Sequence, residues 1–365
     1  MKLAKLSLAA IMTVGALSAV NAQPLEEAIK NVDFSGMVRY RMDDVNQDSA
    51  GTNSNTNDWD ILGKVTAPVT ENIKATVAFA TAGGSSDNHA AAPAVGNLDI
   101  RKVFFTYKQD ALTVKAGLQP ISTLITDGGF NGDKGNGVVA MYNLESVTLA
   151  AAYFGNSNSA AGEDIKALAA IGSFGAVNAQ AWYVGADNVL TSLGLDVTGK
   201  FAGVSLKGQV FQTELDPAHG SYVAANDSGL WFAVKAGFAM DNFSVNAGYT
   251  KNDDDQGIYA ITSDGGGQIM PGWRMIYQVD NEASAETMFI DAGVKMGKFG
   301  AKLGYATASF DAALNTASDA DEIWGMVSYK VAKNLNTYIK YSMMSYDQAA
   351  VADKDHMRFE AKYSF

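Results

Sequence analysis

The chain has no cysteine, so neither a disulfide framework nor a thiolate metal site is open to it. No stretch behind the N-terminal leader approaches the roughly 18 apolar residues that a membrane helix needs, which excludes a helical membrane protein. Histidine is reduced to His89, His219 and His356, leaving little material for general-base chemistry. Basic charge is also short. The formal net charge is -12, and losing Lys2 and Lys5 with a cleaved leader makes it -14. Such acidity argues against nucleic acid as a partner and favours a surface that gathers cations. Proline is scarce at 6, whereas Gly 36, Tyr 15, Phe 17 and Trp 5 are generous. Mean hydropathy is -0.03, the average expected of strands that are half lipid-facing and half water-facing.

The last residues show that alternation directly. Met357, Phe359, Ala361, Tyr363 and Phe365 form one face, and His356, Arg358, Glu360, Lys362 and Ser364 the other. Lipid on one side, water on the other and an aromatic at the interface is the pattern of a transmembrane barrel strand. A closing strand ending on phenylalanine also resembles the C-terminal assembly signal of outer-membrane proteins. At the other end, Lys2 and Lys5, the apolar run Leu6–Val20 and the small residues to Ala22 read as a secretory signal peptide over 1–22. Residues 23–365 show no linker or composition shift and read as one domain.

Alternating segments bounded by turn residues predict eighteen strands. They fall at 32–43, 59–67, 73–81, 98–108, 111–118, 137–142, 147–154, 165–173 and 177–184 in the first half. The second half holds 190–200, 204–213, 229–239, 243–252, 287–296, 299–309, 321–331, 335–344 and 355–365. Sixteen would follow if 137–142 or 190–200 is not a strand. Short turns such as Gln109-Asp110 and Gly297-Lys298 alternate with long Gly/Asn/Asp/Ser-rich segments such as Gln119–Asn136 and Asp253–Glu286. That alternation is the architecture of an outer-membrane β-barrel, with short periplasmic turns and long outer loops. The fold expected is all-β, a closed antiparallel barrel in the outer membrane of a Gram-negative bacterium.

Facing follows from the pleat. Phe34, Gly36, Val38, Tyr40 and Met42 share a side, opposite Ser35, Arg39, Arg41 and Asp43. A Lys or Arg facing lipid costs roughly 2–4 kcal/mol at the midplane, so Arg39, Arg41, Lys64, Lys115, Lys340 and Arg358 are expected in the lumen. Closure sets strand 18 beside strand 1, and Arg358, Arg39, Arg41 and Lys64 are expected to form one basic arc. The third long loop, Gln119–Asn136, has an apolar side in Ile121, Leu124 and Ile125 and is expected to fold inward. Asp127 and Asp133 would then face the arc across a narrow opening, where opposed charges set ion preference.

The segment Pro24-Leu-Glu-Glu-Ala-Ile-Lys-Asn-Val-Asp-Phe-Ser-Gly-Met-Val-Arg-Tyr-Arg41 closely resembles the opening of the Campylobacter-type major outer membrane porins. Val114-Lys-Ala-Gly-Leu-Gln119, followed by Thr126-Asp127 and Gly137-Val138, is similar to that family's strand into its third loop. The resemblance implies an eighteen-stranded, homotrimeric, cation-preferring diffusion porin for small hydrophilic solutes, with calcium near the constriction. Asp127, Asp133 and Glu282 are the carboxylates expected to hold that calcium, which takes roughly six to eight oxygens. No cofactor is required. Asp253-Asp254-Asp255 lacks the spacing of a calcium loop and reads as a solvated acidic run, and Gly265-Gly266-Gly267 lacks a phosphate-binding context. Pro24–Asn31 reads as a short periplasmic helix or a plug at the barrel entry. Two other functions compete: an adhesin or structural barrel acting through its loops, and a barrel hydrolase, for which the three histidines offer no triad.

Overall fold

Strict two-residue alternation pairs best in a sheet with lipid on one face and water on the other, and a closed sheet leaves no backbone edge in the hydrocarbon. The chain takes that solution. The computed structural model describes residues 31–47, 53–81, 98–129, 132–158, 162–219, 227–254, 267–275, 282–311, 319–348 and 351–365. The leader, most of the Pro24–Asn31 segment and His89 lie outside those residues.

The strands are β1 (Asp33–Gln47), β2 (Ser54–Pro68), β3 (Ile73–Thr81), β4 (Leu98–Gln109), β5 (Leu112–Pro120) and β6 (Lys134–Leu144). They continue as β7 (Val147–Gly155), β8 (Ile165–Phe174), β9 (Val177–Ala186), β10 (Leu190–Phe201), β11 (Val204–Leu215) and β12 (Ser228–Met240). The circuit ends with β13 (Phe243–Asn252), β14 (Glu286–Met296), β15 (Phe299–Ser309), β16 (Ala320–Ala332), β17 (Leu335–Tyr346) and β18 (Lys354–Ser364). Each strand pairs with its chain neighbours, and β1 pairs with both β2 and β18, so the sheet of eighteen closes. Every expected strand is present, 137–142 and 190–200 included. Several run further outward than expected: β2 begins at Ser54 and β6 at Lys134. Above the membrane both faces meet water, so these polar residues join the ladder without alternating.

The outer face is apolar, with Ile100, Leu168, Leu303 and Val327 all exposed on it. Aromatics ring both ends of this belt. Phe174, Phe201, Phe238, Phe299 and Tyr363 lie at the short-turn end, and Tyr153, Tyr183, Tyr249 and Tyr305 at the long-loop end. The upper tyrosines reach polar ground: Tyr153 and Tyr305 donate hydroxyls to Asp164 and Asp321 at 2.5 Å. Inward positions follow the register. Arg39 lies opposite Asp60 and Lys362, Arg41 opposite Asp58 and Glu360, and Lys64 opposite Ser35 and the buried Ala78.

The closing seam ends on Phe365. Its amide donates to the Gly36 carbonyl at 3.0 Å, its carbonyl accepts from the Gly36 amide at 2.8 Å, and its ring lies 5.4 Å from that of Phe34. A side chain at position 36 would run into this ring and the Leu62 carbonyl, so glycine is required there. Phe365→Ser should lower the amount of assembled barrel in outer-membrane fractions while leaving the inserted barrels heat-resistant. Wild-type levels of barrel would remove Phe365 from assembly.

Candidate functional site

The loop between β5 and β6 is folded upon itself. Gly117, at φ 126°, lets β5 pass close to the Val103 carbonyl just before the chain departs. Beyond it, Thr126 donates its hydroxyl to the Ile121 carbonyl at 2.9 Å and accepts the Thr123 amide at 2.8 Å. The Asp127 amide donates to Asp133 Oδ2 at 2.7 Å, and the Gly129 amide to Asp127 Oδ1 at 2.7 Å. These bonds present Ile121, Leu124 and Ile125 as one apolar side. All three are buried in a cluster with Phe154, Ile165, Val184, Leu190 and Phe211. Those partners are inward positions of β7 to β11, so the loop lies inside the barrel. Lys102 on β4 ties down its tip by donating to the Gly129 carbonyl at 3.0 Å.

A second segment joins it. Residues 267–275 belong to the loop between β13 and β14 and are anchored at both ends. At one end the Gly267 amide donates to the Leu124 carbonyl at 3.0 Å. The Gly267 carbonyl accepts Gln209 Nε2 at 2.7 Å and Lys207 Nζ at 3.1 Å, and the Ile269 amide donates to Gln209 Oε1 at 2.7 Å. At the other end the amides of Trp273, Arg274 and Met275 converge on the Glu322 carboxylate at 2.9 to 3.0 Å. Glu322 is 0% exposed and also accepts the Ser342 hydroxyl at 2.7 Å. The Trp273 ring stacks on His356 at 4.6 Å, with Lys340 over it at 4.5 Å and Arg358 at 5.6 Å. The segment therefore runs as a strap from the β11 wall to the β16–β18 wall. Its apolar residues, Ile269, Met270, Trp273 and Met275 within a Gly- and Asp-rich loop, are the signal that sequence reasoning passed over.

The facing wall carries the expected arginines, but not as a bare basic arc. Arg39 Nε donates to Asp60 Oδ2 at 2.7 Å, Arg41 Nη2 to Glu360 Oε2 at 2.8 Å, and Arg358 Nε to Asp43 Oδ1 at 2.6 Å. Asp43 also holds His356 Nε2 at 2.5 Å. Carboxylates interleave with the bases on the same inward face; alternation places Asp43 and Glu360 there but does not reveal which arginine each one meets. Lys64 alone of the four makes no ion pair among the described residues.

The family model described as Campylobacter major outer membrane protein matches residues 1–171 and 155–365. The chain belongs to the Campylobacter major outer membrane protein family. It is accordingly a porin of the Gram-negative outer membrane, a channel for small solutes. Solved structures share the fold at low identity. Acinetobacter baumannii OccAB1 superposes with a TM-score of 0.76 at 14% identity, over 92% of this chain and 97% of that one. Pseudomonas aeruginosa OccK9 (OpdG) gives 0.74 at 16%, over 93% and 99%. P. aeruginosa OpdK with vanillate gives 0.71 at 12%, over 91% and 98%. No curated protein matches the chain.

In this porin the three carboxylates expected to hold calcium do not converge. Asp133 is 2% exposed, and its Oδ2 accepts the Asp127 amide within the loop. Asp127 Oδ1 is taken by Gly129, while the Glu282 carbonyl accepts Asn252 Nδ2 at 2.6 Å. Among the described residues no group of three or more His, Cys, Asp or Glu could hold a metal ion. At the start of the acidic run Asp253 Oδ2 accepts the Leu230 amide at 2.7 Å, while Asp254 is exposed. His356 has Asp43 beside it and Ser342 opposite in register, and the Ser342 hydroxyl is buried and committed to Glu322.

Proposed function

We propose that this porin passes ions and small hydrophilic solutes by passive diffusion and prefers cations, with Asp127 setting the sign where the passage is narrowest. The observation that carries this reading is the pairing on the wall. Arg39, Arg41 and Arg358 are each matched by a carboxylate, whereas Asp127 makes no ion pair among the described residues. The wider charge layout supports it. Glu163, Asp164, Asp216, Asp253 and Asp319 lie in the long connections, so cations accumulate at the outer mouth before they meet the constriction. Single-channel recording in a salt gradient tests the preference, since a reversal potential of the anion-selective sign would overturn it.

The native unit in this reading is a homotrimer. Ala67, Ala75 and Val77 on the outward side of β2 and β3 make a shallow face on which another barrel can lie. The protein should migrate as a trimer on unheated gels, convert to monomer on boiling, and scatter light in detergent as three barrels. A single-barrel mass after mild extraction would refute the trimer.

A further inference from the structure

Water-filled pores keep polar side chains on the lumen, yet one sector here does not. On β6 to β9 the inward positions include Val139, Met141, Ala150, Ala152, Ala169 and Trp182. The apolar side of the β5–β6 loop covers the upper part of this sector. Its lower part, toward the short turns, is left as a cavity of about 310 Å³ that also reaches the loop base at Ser122 and Thr123. That volume is at the lower end of the range for small-molecule sites.

One charged side chain lines the cavity: Lys115, on the neighbouring β5. It has no ion pair among the described residues, unlike Arg39, Arg41 and Arg358. The other large polar groups are already committed. Gln119 Nε2 donates to the carbonyls of Gly137 and Lys115 at 3.0 and 3.3 Å, and Trp182 Nε1 donates to Gln180 Oε1 at 3.0 Å. An occupant would thus meet an apolar bed with a single cation at its edge.

We propose that this cavity is a binding subsite for small organic anions that carry a compact apolar body. The carboxylate would bond to the Lys115 ammonium, and the body would lie against Trp182, Met141 and the alanines. A charge-assisted hydrogen bond and the burial of apolar surface then act on one molecule, and neither a simple ion nor a neutral solute receives both. The inference rests on the channel reading and adds a retention site to it.

Single-channel current in planar bilayers is the test, with benzoate, acetate and benzyl alcohol as probes. Benzoate should reduce the current in a concentration-dependent way, while acetate and benzyl alcohol at equal concentration leave it nearly intact. Lys115→Gln should weaken the benzoate block by about tenfold or more, and Trp182→Ala should weaken it as well. Each variant is judged against its own probe-free conductance, which also shows that it has inserted. Acetate blocking as well as benzoate, or an undiminished block in Lys115→Gln, would overturn the subsite. An equal loss in Lys64→Gln, on the wall outside the cavity, would overturn it too by pointing to the diffuse field of the wall. The absence of any conductance steps would instead overturn the channel reading beneath it.

Discussion

Replacing Glu322 by alanine should raise single-channel conductance and make it flicker between levels. The carboxylate is the shared acceptor for three strap amides and the Ser342 hydroxyl, with no exposure to solvent. Leaving a buried donor unmet costs about 1–3 kcal/mol, so three orphaned amides outweigh what holds one end of a short segment. Those amides find water only if the strap lifts from the wall, and lifting widens the passage. Glu322→Gln should fall between, because its amide oxygen still accepts while its NH2 group faces backbone donors. Ser342→Ala removes one partner of the carboxylate and none of the strap, so it should change conductance little. Wild-type conductance in Glu322→Ala would mean that the strap does not narrow the pore.

Asp127→Asn should move the reversal potential toward the anion side in a salt gradient. The substitution keeps an acceptor for the Gly129 amide, which limits the change to charge. Near Asp127 the counter-charge is Lys102, whose ammonium is already held by the Gly129 carbonyl. Removing the carboxylate leaves that cation unopposed at the loop tip. Asp254→Asn, in the outer connection, should do much less, because exposed charge is screened within about 8–10 Å at ordinary salt. Equal shifts from the two substitutions, or none from Asp127→Asn, would place the selective step elsewhere.

The strands were legible because membrane strands are written in a period-two code that lipid enforces at every residue. Their facing was legible for the same reason, as Arg39, Lys64 and Val38 show. Pairing across the lumen was not. Asp60, Asp43 and Glu360 come from positions up to 319 residues away from their arginines, and only the closed register brings them together. The inward fold of the β5–β6 loop could be read from Ile121, Leu124 and Ile125, since such residues seek burial. The role of Asp133 could not, because a buried staple and a pore-facing carboxylate have the same sequence. The strap was missed for a different reason. Its anchors, Gln209 and Glu322, look like ordinary inward polar residues until the loop is seen to end on them.

The seam between β1 and β18 has a further property. Every other strand pair is joined by a connection that limits how far its partners can slide, but this pair has none. A slip of one residue would turn a whole face into lipid and is excluded on that ground. A slip of two keeps every side chain on its proper face, so solvation does not oppose it. Charge does. In the native alignment Arg41 meets Glu360 and Asp43 meets Arg358, while Arg39, across from Lys362, is neutralised by Asp60 on its other side. Two residues one way, Arg41 would confront Arg358; two residues the other way, Arg41 would confront Lys362 and Asp43 would confront Glu360. Like charges directly opposite are destabilising. The ion pairs beside the pore thus serve as alignment marks, through which the two ends of the chain find a single circumference.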